Sequence, residues 1–113
     1  MEDQQEVKKD DGRIKVLITC QGKSVPFLTN PYASLKVTVD NLKKMAQKNP
    51  QKYWNLPEMN NGGQRIAYQL GRKKEDVLEV FDELNNKREE MSLYDYQVKS
   101  GDQLVLTFKP VAG

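Results

Sequence analysis

Residues 1–12 of the chain are polar and charged, have no apolar periodicity, and read as a disordered leader. Patterning begins at R-I-K-V-L-I-T-C (13–20), where Ile14, Val16 and Ile18 alternate with Lys15, Leu17 and Thr19. That two-residue period predicts a half-buried strand. Q-G-K-S follows as a short turn, and V-P-F-L-T places Val25 and Phe27 on one face, so 13–29 predicts a β-hairpin. Pro26 has no N–H for a ladder, which predicts that the second strand lies at a sheet edge there.

The period then changes. Leu35, Val39, Leu42 and either Met45 or Ala46 recur at steps of three and four, one apolar stripe along a helix of about 31–48. L-K-V-T-V by itself also fits a strand, but the stripe continues through L-K-K-M-A, which favours the helix. Asn30 is the expected N-cap, Pro31 the first helical residue, and Lys48-Asn49-Pro50 the stop.

Residues 49–63 carry prolines, asparagines and Gly62-Gly63 and predict a loop that brings Tyr53 and Trp54 back onto the body. Q-R-I-A-Y-Q-L (64–70) predicts a third strand ended by Gly71. In 75–90, Val77, Val80, Phe81 and Leu84 fit a helical face in helix-forming surroundings; V-L-E-V-F taken alone fits a strand, and the longer pattern favours the helix. A compact turn region from Met91 leads to a last strand, Q-L-V-L-T-F (103–108). The expected division is a leader over 1–12, one domain over 13–108 and a flexible tail over 109–113.

Composition narrows the function more than the fold. The 113 residues suit one domain, and a chain of this size buries about 60–70% of its unfolded surface, enough for one core without metal or disulfide. A net charge of +2 does not point to nucleic acid. No run approaches the roughly 20 apolar residues of a membrane span, and the leader lacks the apolar stretch of an ordinary secretory signal. One cysteine, Cys20, and no histidine leave no intramolecular disulfide, no usual zinc or iron–sulfur ligand set and no histidine-dependent triad. The expectation is a cytoplasmic, non-enzymatic protein without cofactor or metal, acting through other proteins.

The predicted succession, strand hairpin, helix, strand, connection and final strand, is the β-grasp order. L-Y-D-Y-Q-V-K-S-G-D-Q-L-V-L-T-F-K-P-V-A-G (93–113) resembles the end of ubiquitin without a gap: a leucine, Asp-Tyr two residues on, an aliphatic, then a strand from Leu104 with the same count to the terminus. Q-G-K-S-V-P-F-L-T-N-P is similar to ubiquitin's first turn and second strand, and Q-R-I-A-Y (64–68) to the opening of its third strand. The resemblance spans about 13–48, 64–71 and 91–113. It implies an α+β fold of the ubiquitin-like β-grasp type, with a mixed sheet of four to five strands packed on one main helix; the inserted second helical segment comes from the 75–90 pattern. It also implies a structural role for Asp95 and Tyr96 in closing the turn before the last strand, the tyrosine hydroxyl bonding to backbone.

The departures bear on partners. Positions matching ubiquitin's leucine–isoleucine–valine patch are Cys20, Ala67 and Thr107, all smaller or more polar, so receptors that read ubiquitin are not expected to read this chain. Its own partner surface is expected to involve Trp54, Ala67 and Thr107, and the 49–63 and 72–90 segments. Gly113 is the candidate conjugation residue, because a terminal glycine permits close approach of an activating enzyme to the carboxylate. Ala112 replaces the usual penultimate glycine, and Pro110 stiffens the tail. Lys43, Lys44, Lys48 and Lys52 read as solvated lysines at a helix end, the acidic residues of 75–90 as a solvated face, and Cys20 as an ordinary cysteine. The chain resembles small ubiquitin-like components of bacterial systems, including those associated with ESX-type secretion. The favoured expectation is a non-catalytic interaction module with protein partners, such as a secretion component. A covalent modifier that meets an activating enzyme at Gly113, or a sulfur carrier, are the alternatives.

Overall fold

A computed structural model of the chain describes residues 12–109. Of the expected leader only Gly12, and of the expected tail only Lys109, lie among the described residues; Lys109 is the last residue of the final strand.

Strands β1 (Ile14–Cys20) and β2 (Lys23–Thr29) form the expected antiparallel hairpin, in register from Ile14 opposite Thr29 to Cys20 opposite Lys23. Gln21 and Gly22 make its two-residue turn with φ of 52° and 77°, the left-handed geometry that matches strand twist. Helix α1 runs Leu35–Lys48 and buries Leu35, Thr38, Val39, Leu42 and Ala46, the predicted stripe with Ala46 rather than Met45 at its end.

The start of α1 corrects the expectation of Asn30 as cap. Ser34 is the N-cap, its hydroxyl accepting from the Val37 N–H at 3.2 Å. Asn30 instead accepts from the Tyr32 N–H at 2.9 Å and folds its own turn. The backbone of 31–35 is committed elsewhere: Pro31 C=O accepts from Tyr94 N–H, and Leu35 N–H donates to Met91 C=O. These bonds tie the approach to the helix onto the 91–94 segment, so the helix starts four residues later than Pro31.

Strands β3 (Ala67–Lys74), β4 (Val77–Val80) and β5 (Gln103–Lys109) complete one five-stranded sheet in the order β2-β1-β5-β3-β4. β5 runs parallel to β1 in the centre, and the other neighbours are antiparallel. β2 lies at an edge, as Pro26 requires. This is the β-grasp arrangement that the sequence predicts, with one helix rather than two among the described residues.

Two corrections fall on β3 and β4. Gly71 does not end the third strand; it sits inside it, opposite Val80, where a Cβ would stand 2.6 Å from the Glu79 carbonyl oxygen. Glycine is there for close approach of β4. The helix expected over 75–90 is a two-residue turn at Glu75-Asp76, strand β4 and an irregular stretch. Of its supposed apolar stripe only Phe81 is buried, while Val77, Val80 and Leu84 are exposed. A helix would have left the backbone of Arg72–Lys74 without the partner that β4 supplies.

The core lies between α1 and the face of the sheet formed by Val16, Ile18, Phe27, Leu70, Leu104 and Leu106. Full burial of side chains of this kind stabilises by about 1.5–3 kcal/mol each. The 49–63 loop closes one end as expected: Trp54 Nε1 donates to Lys23 C=O at 2.9 Å, and Tyr68 Oη donates to Pro57 C=O at 2.7 Å.

Candidate interaction surface

Alternation along each strand decides what the other face of the sheet shows. Because Val16, Ile18 and Cys20 point to α1, Lys15, Leu17 and Thr19 point away; by the same rule Pro26, Leu28, Ala67, Gln69, Leu78, Val80, Val105 and Thr107 share that outer face. The registers line up one row across all five strands: Ser24, Thr19, Val105, Gly71 and Val80. Leu17 lies opposite Pro26 beside this row. Leu17 and Val105 are half-buried, and Leu28, Leu78 and Val80 are exposed.

Polar groups on the face are largely paired within it. The Thr19 and Ser24 hydroxyls lie 2.7 Å apart, and Gln69 Nε2 donates to Thr107 Oγ1 at 3.3 Å. Its charged strand positions are Lys15, Lys73 and Lys109, and no strand position on it carries a carboxylate among the described residues. No element of the described residues covers the face. Its chemistry is therefore that of an apolar and neutral-polar platform with a basic rim, suited to burying area against a partner.

The structure brings Ala67 and Thr107 together on this platform, on adjacent strands β3 and β5. Trp54 does not join them. It is 3% exposed and fixed in the core by its bond to Lys23, so it presents no surface to a partner. Cys20 points into the core, where burial pushes its thiol pKa up and keeps it protonated. Lys23 does not activate it; the lysine Nζ donates to Gln51 C=O. Gly113 lies outside the described residues.

Asp95 and Tyr96 hold the turn ahead of β5. The Asp95 carboxylate accepts from both the N–H and the hydroxyl of Ser92, at 2.9 and 3.1 Å. Tyr96 Oη donates to Asp82 C=O at 3.1 Å, and its ring stacks on Phe81 with centroids 4.4 Å apart. Arg72 lies over the other contacts of this knot, 5.3 Å from the Phe81 ring, bonded to Tyr96 C=O at 2.9 Å and paired with Glu79 at 3.2 Å. Through it the turn and strand β4 are held as one unit.

Sequence reasoning placed Leu78 and Val80 in a segment expected to carry partner surface, 72–90, but read them on a helix and so did not set them on one face with Ala67 and Thr107. The alternation of Lys15, Leu17 and Thr19 against the buried set already marked the outer face of β1. Leu17 was the signal, an apolar residue at a position where the pattern called for a polar one.

No family model matches the chain, and no curated protein matches it. Solved structures do. The EccD5 ubiquitin-like domain from Mycobacterium xenopi superposes with a TM-score of 0.63 at 20% identity, over 88% of this chain and 98% of that one. A chain of the MycP5-free ESX-5 inner membrane complex gives 0.65 at 18% identity, over 90% of this chain but only 22% of the larger one. An Arabidopsis thaliana protein gives 0.53 at 12% identity, over 90% and 93% of the two chains. At these identities the likeness shows the fold: the chain has the ubiquitin-like β-grasp fold.

Proposed function

We propose that the chain is a non-catalytic ubiquitin-like interaction module that docks on a protein partner through the outer face of its sheet. The observation that carries this reading is the row Thr19, Val105, Gly71 and Val80 with Leu17, Ala67 and Thr107 around it, covered by no helix or strand among the described residues and bounded by Lys15, Lys73 and Lys109. The complementary partner surface is apolar at its centre with carboxylates at its rim. The fold it shares with a chain of an ESX-5 inner membrane complex supports a partner that is a component of a membrane-associated secretion assembly. The buried, protonated Cys20 suits a reducing, cytoplasmic setting. No helix among the described residues is long and apolar enough to cross a membrane.

The test compares two changes in the source organism. The double substitution Ala67→Glu and Thr107→Glu puts charge on the platform without touching the core, and removal of Gly113 takes away the end that a modifier or sulfur carrier needs. On this reading the double variant keeps its thermal transition and loses its co-purifying complex, and the Gly113 deletion keeps both. A complex that survives the double variant but disappears with Gly113 would instead identify a conjugated or thiocarboxylated tail.

A further inference from the structure

The two edges of the sheet are not alike. On β2, the Cys20–Lys23 pair closes a two-residue turn, so Ser24, Pro26 and Leu28 turn their backbone groups outward. Pro26, at the centre of that set, has no N–H to give, and the edge cannot accept a regular added strand. On β4 the situation reverses. Phe81 N–H donates to Leu70 C=O at 2.8 Å, which sets the alternation: Glu79 and Val77 bond inward to β3, and Leu78 and Val80 aim N–H and C=O away from the sheet. No proline stands in β4.

The side chains of β4 match this exposed backbone. Val77 is 68% exposed, Leu78 36% and Val80 37%, so a β-branched and aliphatic strip borders an open row of hydrogen-bonding groups. The Gly71 contact and the Arg72–Glu79 pair hold β4 in place, so the edge is already formed before anything binds. Carboxylates flank it at both ends: Glu75 and Asp76 before the strand, Asp82 and Glu83 after it.

From this geometry we infer that β4 is a strand-addition site for an extended peptide segment with alternating apolar residues and lysine or arginine at both ends. Backbone groups of Leu78 and Val80 supply the affinity of such a mode, and alternate side chains supply its selectivity. The flanking charge selects a basic occupant. Lys73 and Lys74 do not cancel it, because an added strand lies about 5 Å from β4 and about 10 Å from β3, where screening is already strong. A second copy of the chain fits poorly. Antiparallel pairing of Leu78 with Val80 of another copy would put Glu79 opposite Glu79 and Asp76 opposite Asp82. This site uses the backbone edge of β4, although the side chains of Leu78 and Val80 also border the outer face, and the two readings are separated by their tests.

The probe is a short, end-blocked peptide of alternating valine and threonine with paired lysines at each end, and a twin with glutamates in place of the lysines. Amide hydrogen exchange is read on the full chain at high peptide concentration. The expected result is slowing of at least about tenfold at the Leu78 and Val80 amides with the lysine peptide, little change at Val77 and Glu79, and no protection from the glutamate twin. Leu78→Pro removes one outward N–H and abolishes the protection. The double variant Asp76→Lys and Asp82→Lys leaves the edge intact and, with one lysine now beside Glu75 and one beside Glu83, removes the preference that the unsubstituted chain shows for the lysine peptide. Equal protection of the unsubstituted chain by both peptides, protection at β2 or on the outer face only, or protection that rises with protein concentration alone would overturn the assignment. A negative result here leaves the outer-face reading standing, since the Ala67→Glu and Thr107→Glu test does not alter the β4 backbone.

Discussion

Tyr96 shows how a single side chain links the turn before β5 to the end of β4. Its hydroxyl reaches Asp82 C=O and its ring stacks on Phe81, so removing the oxygen alone separates the two contributions. Tyr96→Phe is expected to lower unfolding stability by about 0.5–1.5 kcal/mol in urea while leaving the stack in place. Burial first, and then the negative charges of Asp82, Glu79 and Asp95, push the Tyr96 pKa up; burial does the same for Tyr68 and for Cys20. Each of these groups is neutral when protonated, and each holds its proton more tightly folded than unfolded. The unfolded chain therefore ionises first as pH rises, and the stability they contribute, complete below their unfolded pKa values, is lost as pH climbs through the folded ones. Urea midpoints should stay level through neutral pH and fall from roughly pH 9 upward, with a shallower fall in Tyr96→Phe. A midpoint that rises in alkali would contradict this. The role of Asp95 and Tyr96 was legible in the sequence through their resemblance to a known turn. The loop of 49–63 was expected to bring Trp54 back onto the body, but Trp54 was also counted toward the partner surface, because an aromatic in a proline-rich loop looks the same whether it docks fully inward or stays at the rim.

Among the elements, the hairpin of β1 and β2 and the strand β5 were legible because a two-residue alternation admits no other reading over seven residues. The segment 75–90 was not. Val77, Val80, Phe81 and Leu84 fall at helical steps by coincidence, and only pairing with β3, a contact made across a two-residue turn, selects the strand. The cap of α1 was misplaced for a related reason: Asn30-Pro31 is a good helix start in isolation, and the bonds of Pro31 and Leu35 to the 91–94 segment override it. Gly71 is the residue on which the β3–β4 ribbon depends. Gly71→Ala would place a methyl 2.6 Å from Glu79 O and 3.1 Å from Leu78 Cδ1, forcing the strands apart. The expected cost is about 1–3 kcal/mol, larger than the gain from replacing a flexible glycine. The urea midpoint measures it, and amide exchange at Arg72 and Glu79 should accelerate more than at Ile18. An unchanged ribbon in this variant would mean that β4 does not sit against Gly71 as described.

For the molecule as a whole, the sequence revealed the β-grasp order but not the open face of the sheet proposed for docking, because a face is defined by what packs on the other side. Ala67 and Thr107 were singled out through positions matched to ubiquitin and share the outer face on adjacent strands, whereas Leu78 and Val80 become their neighbours only once β4 is a strand. Among the described residues, one helix on one side of a five-stranded sheet leaves the other side open, and that asymmetry is the physical basis for the proposed role. The most direct measurement places a photo-crosslinking side chain at Thr107 on the platform, or at Asp40 on the exposed side of α1, in the chain expressed in its source organism. The account predicts a discrete protein adduct from position 107, none from position 40, and the same adduct after Gly113 is removed. An adduct from position 40 alone, or one from position 107 that vanishes with Gly113, would contradict it.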